Sequence, residues 1–178
     1  MATALIVPPG SEPVSLAEAK RHLHVEHADE DAWLADCIAA ARVHVEHACG
    51  RKLVAQTWRQ YAEGREVRLE VGPVREIADV TVYDREGDPR VLSPAEWSLD
   101  DECLVIDSGI DLANGVEIDV EAGMAETPVD LASTLKRAVL LLVAHWFEFR
   151  GYVAPADQPV ALPPGFDALV APFRRVRL

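Results

Sequence analysis

The tetrapeptide HVEH occurs twice, at residues 24–27 and 44–47. Imidazole nitrogens and carboxylate oxygens are common ligands of zinc, and a glutamate beside bound zinc can act as a general base. The zinc-protease arrangement H-E-x-x-H sets its histidines at i and i+4, one above the other on a helix face. Here His24 and His27, and likewise His44 and His47, stand at i and i+3. His44 and His47 could still share a face and, with a third ligand, hold a metal. Both boxes, however, fall where the pattern around them predicts helix ends. Polar side chains belong there, and a histidine near a helix C-terminus suits the helix dipole. The expectation is two solvated helix ends, no bound transition metal and no hydrolytic activity.

Other chemistry is sparse. His145 sits mid-helix among apolar neighbours, as a hydrogen-bonded core or interface histidine would. GxGxxG, GxxxxGK[ST] and GxSxG are all absent. The acid pair Asp100/Asp101 falls in a predicted turn. Cys37 and Cys49 share one predicted helix, twelve residues and so about 18 Å apart, too far to bridge. With Cys103 they read as small buried side chains in a reducing cytosol. No cofactor is expected.

The elements that carry these residues follow from period and capping. Ser15 and Glu18 form a capping box, and Leu16, Ala19 and Leu23 make an apolar stripe. This predicts a first helix over about 15–25. Asp29 is the expected N-cap of a second helix, about 30–49, stopped by Gly50. Leu34, Cys37, Ile38, Ala41, Val45 and Ala48 form its core stripe. A weaker one runs through Ala32, Ala35, Ala39 and Val43. Two apolar faces suggest a neighbour on each side, although alanine is also simply a good helix former.

From Leu53 the period changes to two. Strands are expected at 67–71, 77–84, 90–92, 97–100, 103–107 and 116–123. A long helix over about 129–150 follows. Its middle, AVLLLVA at 138–144, is apolar nearly all round, which points to burial on more than one side and to self-association. A Pro-rich loop, 153–165, leads to a short helix, about 166–171, and an arm, 172–178. The fold class expected is α+β. It is a single domain, 1–178: a small helical bundle of three main helices plus the short C-terminal one. An antiparallel β insertion, about 53–123, lies between helices two and three.

At 178 residues the chain is long enough for a substantial core. No signal peptide is legible in MATALIVPPGSEP, and no apolar run approaches the roughly 20 residues of a membrane span, so a soluble protein with no membrane partner is expected. Thirty acids face seventeen bases, a net charge of −13. Three of the bases, Arg174, Arg175 and Arg177, lie in the last five residues. The remaining body is acidic enough to repel phosphate, which argues against tight nucleic-acid binding. The tail reads as a docking arm or as a frayed, solvated end.

The stretch PVSLAEAKRHLHVEHADEDAWLADCIAAARVHVEHACGRKLVAQTW resembles the N-terminal half of phage head–tail connector (adaptor) proteins. LKRAVLLLVAHWFEFRG and LPPGFDALVAPFR resemble that family's long helix and C-terminal signature. The β region is the least recognisable part. The resemblance implies a structural virion protein rather than an enzyme, made in the bacterial cytoplasm and placed in the neck of a phage, a prophage particle or a gene transfer agent. Family members form rings, commonly of twelve subunits, beneath the portal protein. A stopper or tail-completion protein sits on the far face, and DNA passes through the channel without sequence-specific binding. Portal binding would fall on Phe166, Leu169, Phe173, Arg174, Arg175, Arg177 and Leu178, with Phe166 and Leu169 alternatively packing on the protein's own helices. Subunit contacts would fall on Ala35, Ala39, Val43, Leu140 and Val143. Another neck or tail ring component, such as a stopper, and a metal-dependent hydrolase built on the HVEH boxes are the alternative readings.

Overall fold

The computed structural model describes residues 2–149 and 162–175. They divide into two compact units. One comprises Met1–Gly10 and Ala55–Met124, the other Ser11–Val54 and Ala125–Leu178.

The first unit is all β. Its larger sheet contains β1 (Ala2–Val7), β2 (Gln56–Ala62), β8 (Val116–Ala122), β4 (Val74–Tyr83) and β5 (Pro89–Val91), in the order β1-β2-β8-β4-β5. The smaller sheet has β3 (Glu66–Arg68), β7 (Cys103–Ile106) and β6 (Trp97–Asp100), in the order β3-β7-β6. Every pairing between these strands is antiparallel. β8 shows the cause most clearly. Val116, Ile118, Val120 and Ala122 point inward, while Glu117, Asp119 and Glu121 point outward and remain partly exposed. The inward residues join Val80, Val82, Val67, Leu69, Leu104 and Ile106 in one aliphatic core fed by both sheets. β2 sends Gln56 and Gln60 inward with Trp58 and Ala62. Gln60 is fully buried. Its amide donates to the Arg68 carbonyl at 2.9 Å and its oxygen accepts the Glu70 N–H at 2.9 Å, tying β2 to the β3 segment. Burial without these bonds would be costly.

The second unit is helical: α1 (Leu16–Leu23), α2 (Asp31–Cys49), α3 (Ser133–Glu148) and α4 (Phe166–Val170), the last running into a 3-10 turn, Ala171–Phe173. The capping box is formed, with Ser15 Oγ accepting the Glu18 N–H at 3.2 Å and Glu18 accepting the Ser15 N–H at 2.8 Å. These bonds hold the Glu18 carboxyl below its ordinary pKa. Gly50 ends α2 in the left-handed region, φ 67°. Leu34, Ile38, Ala41 and Val45 of α2 are buried, as are Leu135, Ala138, Val139 and Leu142 of α3, Val14, and Phe166 and Val170 of α4.

The expected fold class is corrected on these points. Four helices and two antiparallel sheets totalling eight strands make the described chain strand-rich, not a three-helix bundle carrying one β insertion. Two strands were not legible. β1 precedes the first helix and is exposed on both faces, so its sequence ATALIV lacks alternation. In β2 the inward glutamines disguise the buried face. The second helix lacks its expected cap: Glu30, not Asp29, stands at the N-cap, and no side chain bonds there. The long helix begins at Ser133 rather than 129, because Asp130 folds back on Thr127 in a turn, with Thr127 Oγ1 donating to Asp130 Oδ2 at 2.7 Å.

Candidate docking and assembly surfaces

The second HVEH box is structural within the helical unit. Val45 is core, and Glu46 is almost wholly buried. Glu46 Oε1 accepts the Leu53 N–H at 3.1 Å. Its Oε2 accepts from Arg42 Nη1 at 3.4 Å and lies 3.6 Å from Lys52 Nζ. Arg42 also donates to Glu12 at 2.8 Å. One carboxylate therefore joins α2, the chain leaving it, and through Arg42 the segment entering α1. Burial lowers the Lys52 pKa, and Glu46 beside it opposes that shift. His44 is not a solvated end residue as expected. Its ring meets Phe166 at 5.5 Å and Trp146 at 6.3 Å, both edge-on. His47 is exposed.

In the first box His24 is the left-handed C-cap of α1, φ 56°, and His27 is exposed, 3.8 Å from Asp29. Among the described residues no group of three His, Cys, Asp or Glu side chains could hold a metal ion. His145 tilts against Phe149 with ring centroids 5.1 Å apart. Cys37 and Cys49 are buried free thiols whose pKa values burial raises, and Cys103 is a free, half-buried one. Among the described residues no helix is long and apolar enough to cross a membrane.

Of the C-terminal residues, Phe166 is 1 % exposed and packs on the protein's own helices. Leu169 and Phe173 are half-buried. Arg174 donates to Asp167 at 2.6 Å, both side chains well exposed. Such a pair is worth at most about 1 kcal/mol and exchanges partners readily. The Arg175 backbone N–H donates to the Cys49 carbonyl at 2.7 Å, so this segment is fastened to the end of α2. Arg177 and Leu178 lie outside the described residues, as do 150–161.

The expected subunit contacts divide. Ala35 and Val43 are exposed on α2, Val43 by 54 %, and Ala39 is half-buried. Ala39 and Val43 line a shallow, mostly apolar groove with His44, His47 and Trp146. Leu140 on α3 is half-buried. Val143 is wholly buried within its own unit and has no surface to offer. Between 138 and 144 no residue of α3 is exposed, because α1, α2 and α4 all pack against this helix. In the β unit the outward face of the larger sheet is ionic. Arg59 grips Asp119 through two 2.7 Å bonds and reaches Glu117 at 3.2 Å, and Arg75 lies 3.3 Å from Glu121.

Residues 13–85 match the model of a family described as Phage gp6-like head-tail connector protein, which bears out the resemblance read in the sequence. No curated protein matches the chain. A solved chain from the virion of a native gene transfer agent particle is 26% identical. It superposes with a TM-score of 0.79, and the match covers 100% of this chain and 97% of that one. A chain from the neck of an empty gene transfer agent particle, computed with C6 symmetry, is 24% identical, with a TM-score of 0.80 and the same coverage. A chain from the neck of a native particle, computed with C12 symmetry, is 24% identical, with a TM-score of 0.79 and again that coverage. These two share the whole fold, β unit included.

Proposed function

We propose that this chain is a structural head–tail connector, a component of the neck of a phage or phage-like particle. The reading is carried by the connector match over 13–85 together with likeness along its whole length to a gene transfer agent virion chain. Its role is to join a DNA-filled head to a tail, not to catalyse a reaction. The C6 and C12 symmetries of the similar necks support a ring, and a ring of twelve is the form proposed. DNA passes through it. A net charge of −13 favours sliding over sticking, since acidic walls repel phosphate.

Portal docking is assigned to the C-terminal segment. Phe166 anchors it on the subunit's own helices. Half-buried Leu169, Phe173 and Arg175 and exposed Arg174 then form an apolar and basic surface, continued in sequence by Arg177 and Leu178. Arginine's planar fork suits carboxylates or backbone carbonyls on the portal, and repetition around a ring turns modest affinity into firm attachment. Ala35, Ala39, Val43 and Leu140 are assigned to contacts between helical units. A stopper or tail-completion protein is assigned to the opposite face of the ring.

The test is truncation. A chain lacking residues 173–178 should keep its helical circular dichroism yet leave heads filled with DNA and without tails. Normal joining of heads and tails by that truncated protein would remove the C-terminal segment from the portal contact.

A further inference from the structure

The larger sheet of the β unit has two open edges, and they differ. β1 pairs with β2 on one side only, and all six of its residues are exposed, Leu5 by 43 %, Ile6 by 46 % and Val7 by 52 %. It carries no charge and, within its span, no proline. Unpaired strands usually protect themselves with charges, proline or short length. β5, the opposite edge, does so: it has three residues, among them Pro89 and Arg90. Yet it still exposes Val91 by 60 %, and Leu99 of β6 is 39 % exposed. β6 lies towards the same side as β5, since Arg90 bonds Glu96, immediately before β6, while Gln60 links β2 to the β3 segment at the other side. One unit thus carries aliphatic surface at both ends of its strand order.

We propose that neighbouring copies of this chain meet through these edges, β1 of one copy seated on the β5/β6 edge of the next. The proposal rests on the ring reading above. A ring requires a heterologous contact, in which two different patches of one subunit meet, and two opposite apolar edges supply such a pair. Electrostatics selects the same strand. Copies carrying −13 each repel one another, and an uncharged strand is where they approach at least cost. Pro89 offers no N–H and β5 is short, so side chains rather than a shared ladder carry the join.

Cysteine pairing in assembled particles tests this. Leu5→Cys and Val91→Cys are placed together in the full chain. Both sites are exposed, so the melting temperature should stay within a few degrees of the parent. Mild oxidation of necks should give a ladder of cross-linked copies rising to the full ring, absent from either single variant. Dimers from Leu5→Cys alone would mean that β1 meets β1, which overturns the proposal. So would a link to a different protein, or no ladder in necks whose micrographs still show a ring of copies. Necks in which this protein forms no ring would overturn the ring reading itself. As a second readout, Leu5→Lys with Val7→Lys should leave the purified chain folded while lowering the yield of tailed particles by roughly tenfold or more, a factor equivalent to about 1.4 kcal/mol of contact. Unchanged yield would count against the edge contact.

Discussion

Replacing Glu46 by alanine removes one carboxylate from three donors. The Leu53 N–H loses its acceptor at a buried position, a penalty of about 1–3 kcal/mol. Arg42 keeps Glu12 but loses a charge-assisted bond inside the unit, about 1.5 kcal/mol at the lower end of such bonds. Lys52 is partly exposed and can turn to water, so its loss adds little. The sum is about 2.5–4.5 kcal/mol, close to the range found on breaking buried charge pairs. With a urea dependence of about 2 kcal/mol per molar, the midpoint should fall by about 1.2–2.3 M. Far-UV circular dichroism follows it, because the helices belong to the unit that holds Glu46. Glu46→Gln retains an oxygen for Leu53 and should lose about half as much. His47→Ala, at an exposed site, should stay within about 0.5 kcal/mol. The reasoning is refuted if Glu46→Ala shifts the midpoint by less than the equivalent of about 1 kcal/mol, or if glutamine is as damaging as alanine. A zinc-dependent midpoint, lost in His44→Ala/His47→Ala, would reinstate a metal at this box.

Ser15→Ala should cost about 1 kcal/mol of stability by removing the N-cap of α1. The Glu18 carboxyl is lowered in the folded state by its bonds to Ser15, so this contribution is complete above its ordinary value of 4.5 and fades as pH falls through the folded value. Alanine keeps the backbone N–H that lowers Glu18 most, so only the side-chain share fades: thermal melts of variant and parent should draw somewhat closer in acid, and a gap that widened there would contradict the assignment. Gly50→Ala places a Cβ in the left-handed region 3.5 Å from the Arg175 Cβ, a permitted contact, so the expected loss of about 1–2 kcal/mol in a urea melt is backbone strain alone. Gln60→Leu deletes the two bonds that tie β2 to the β3 segment. It should cost roughly 2 kcal/mol, read by near-UV circular dichroism of the tryptophans.

Local signals were legible and long-range ones were not. Ser15 with Glu18, and Gly50 after Cys49, fixed the start of α1 and the end of α2, because capping involves residues within one turn of each other. The strict alternation from Val116 to Ala122 announced β8. Nothing local says that ATALIV, six residues running straight into Pro8 and Pro9, will pair with a strand some fifty positions later, or that six expected strands and two unexpected ones sort into two sheets. The boxes that first suggested chemistry misled for a related reason. Glu46 is buried because Leu53 and Arg42 supply its donors, and only the i,i+4 spacing of Arg42 and Glu46 hinted at it. At the C-terminus, composition isolated the arginines but could not show that Phe166 packs beside His44.

The pairing of Gln56 with Ala122 has a consequence for synthesis on the ribosome. β1 and residues 55–124 emerge before α3 is made, so every strand of the β unit is available while the helical unit still lacks half its core. Closing the sheet then delivers the end of β8 beside the start of β2, and Val54 bridges to Ala125. For α2 and α3 a connection of about eighty residues thereby behaves like one of about a dozen. That spares about 1.6 kcal/mol of loop-closure entropy when α3 finally arrives.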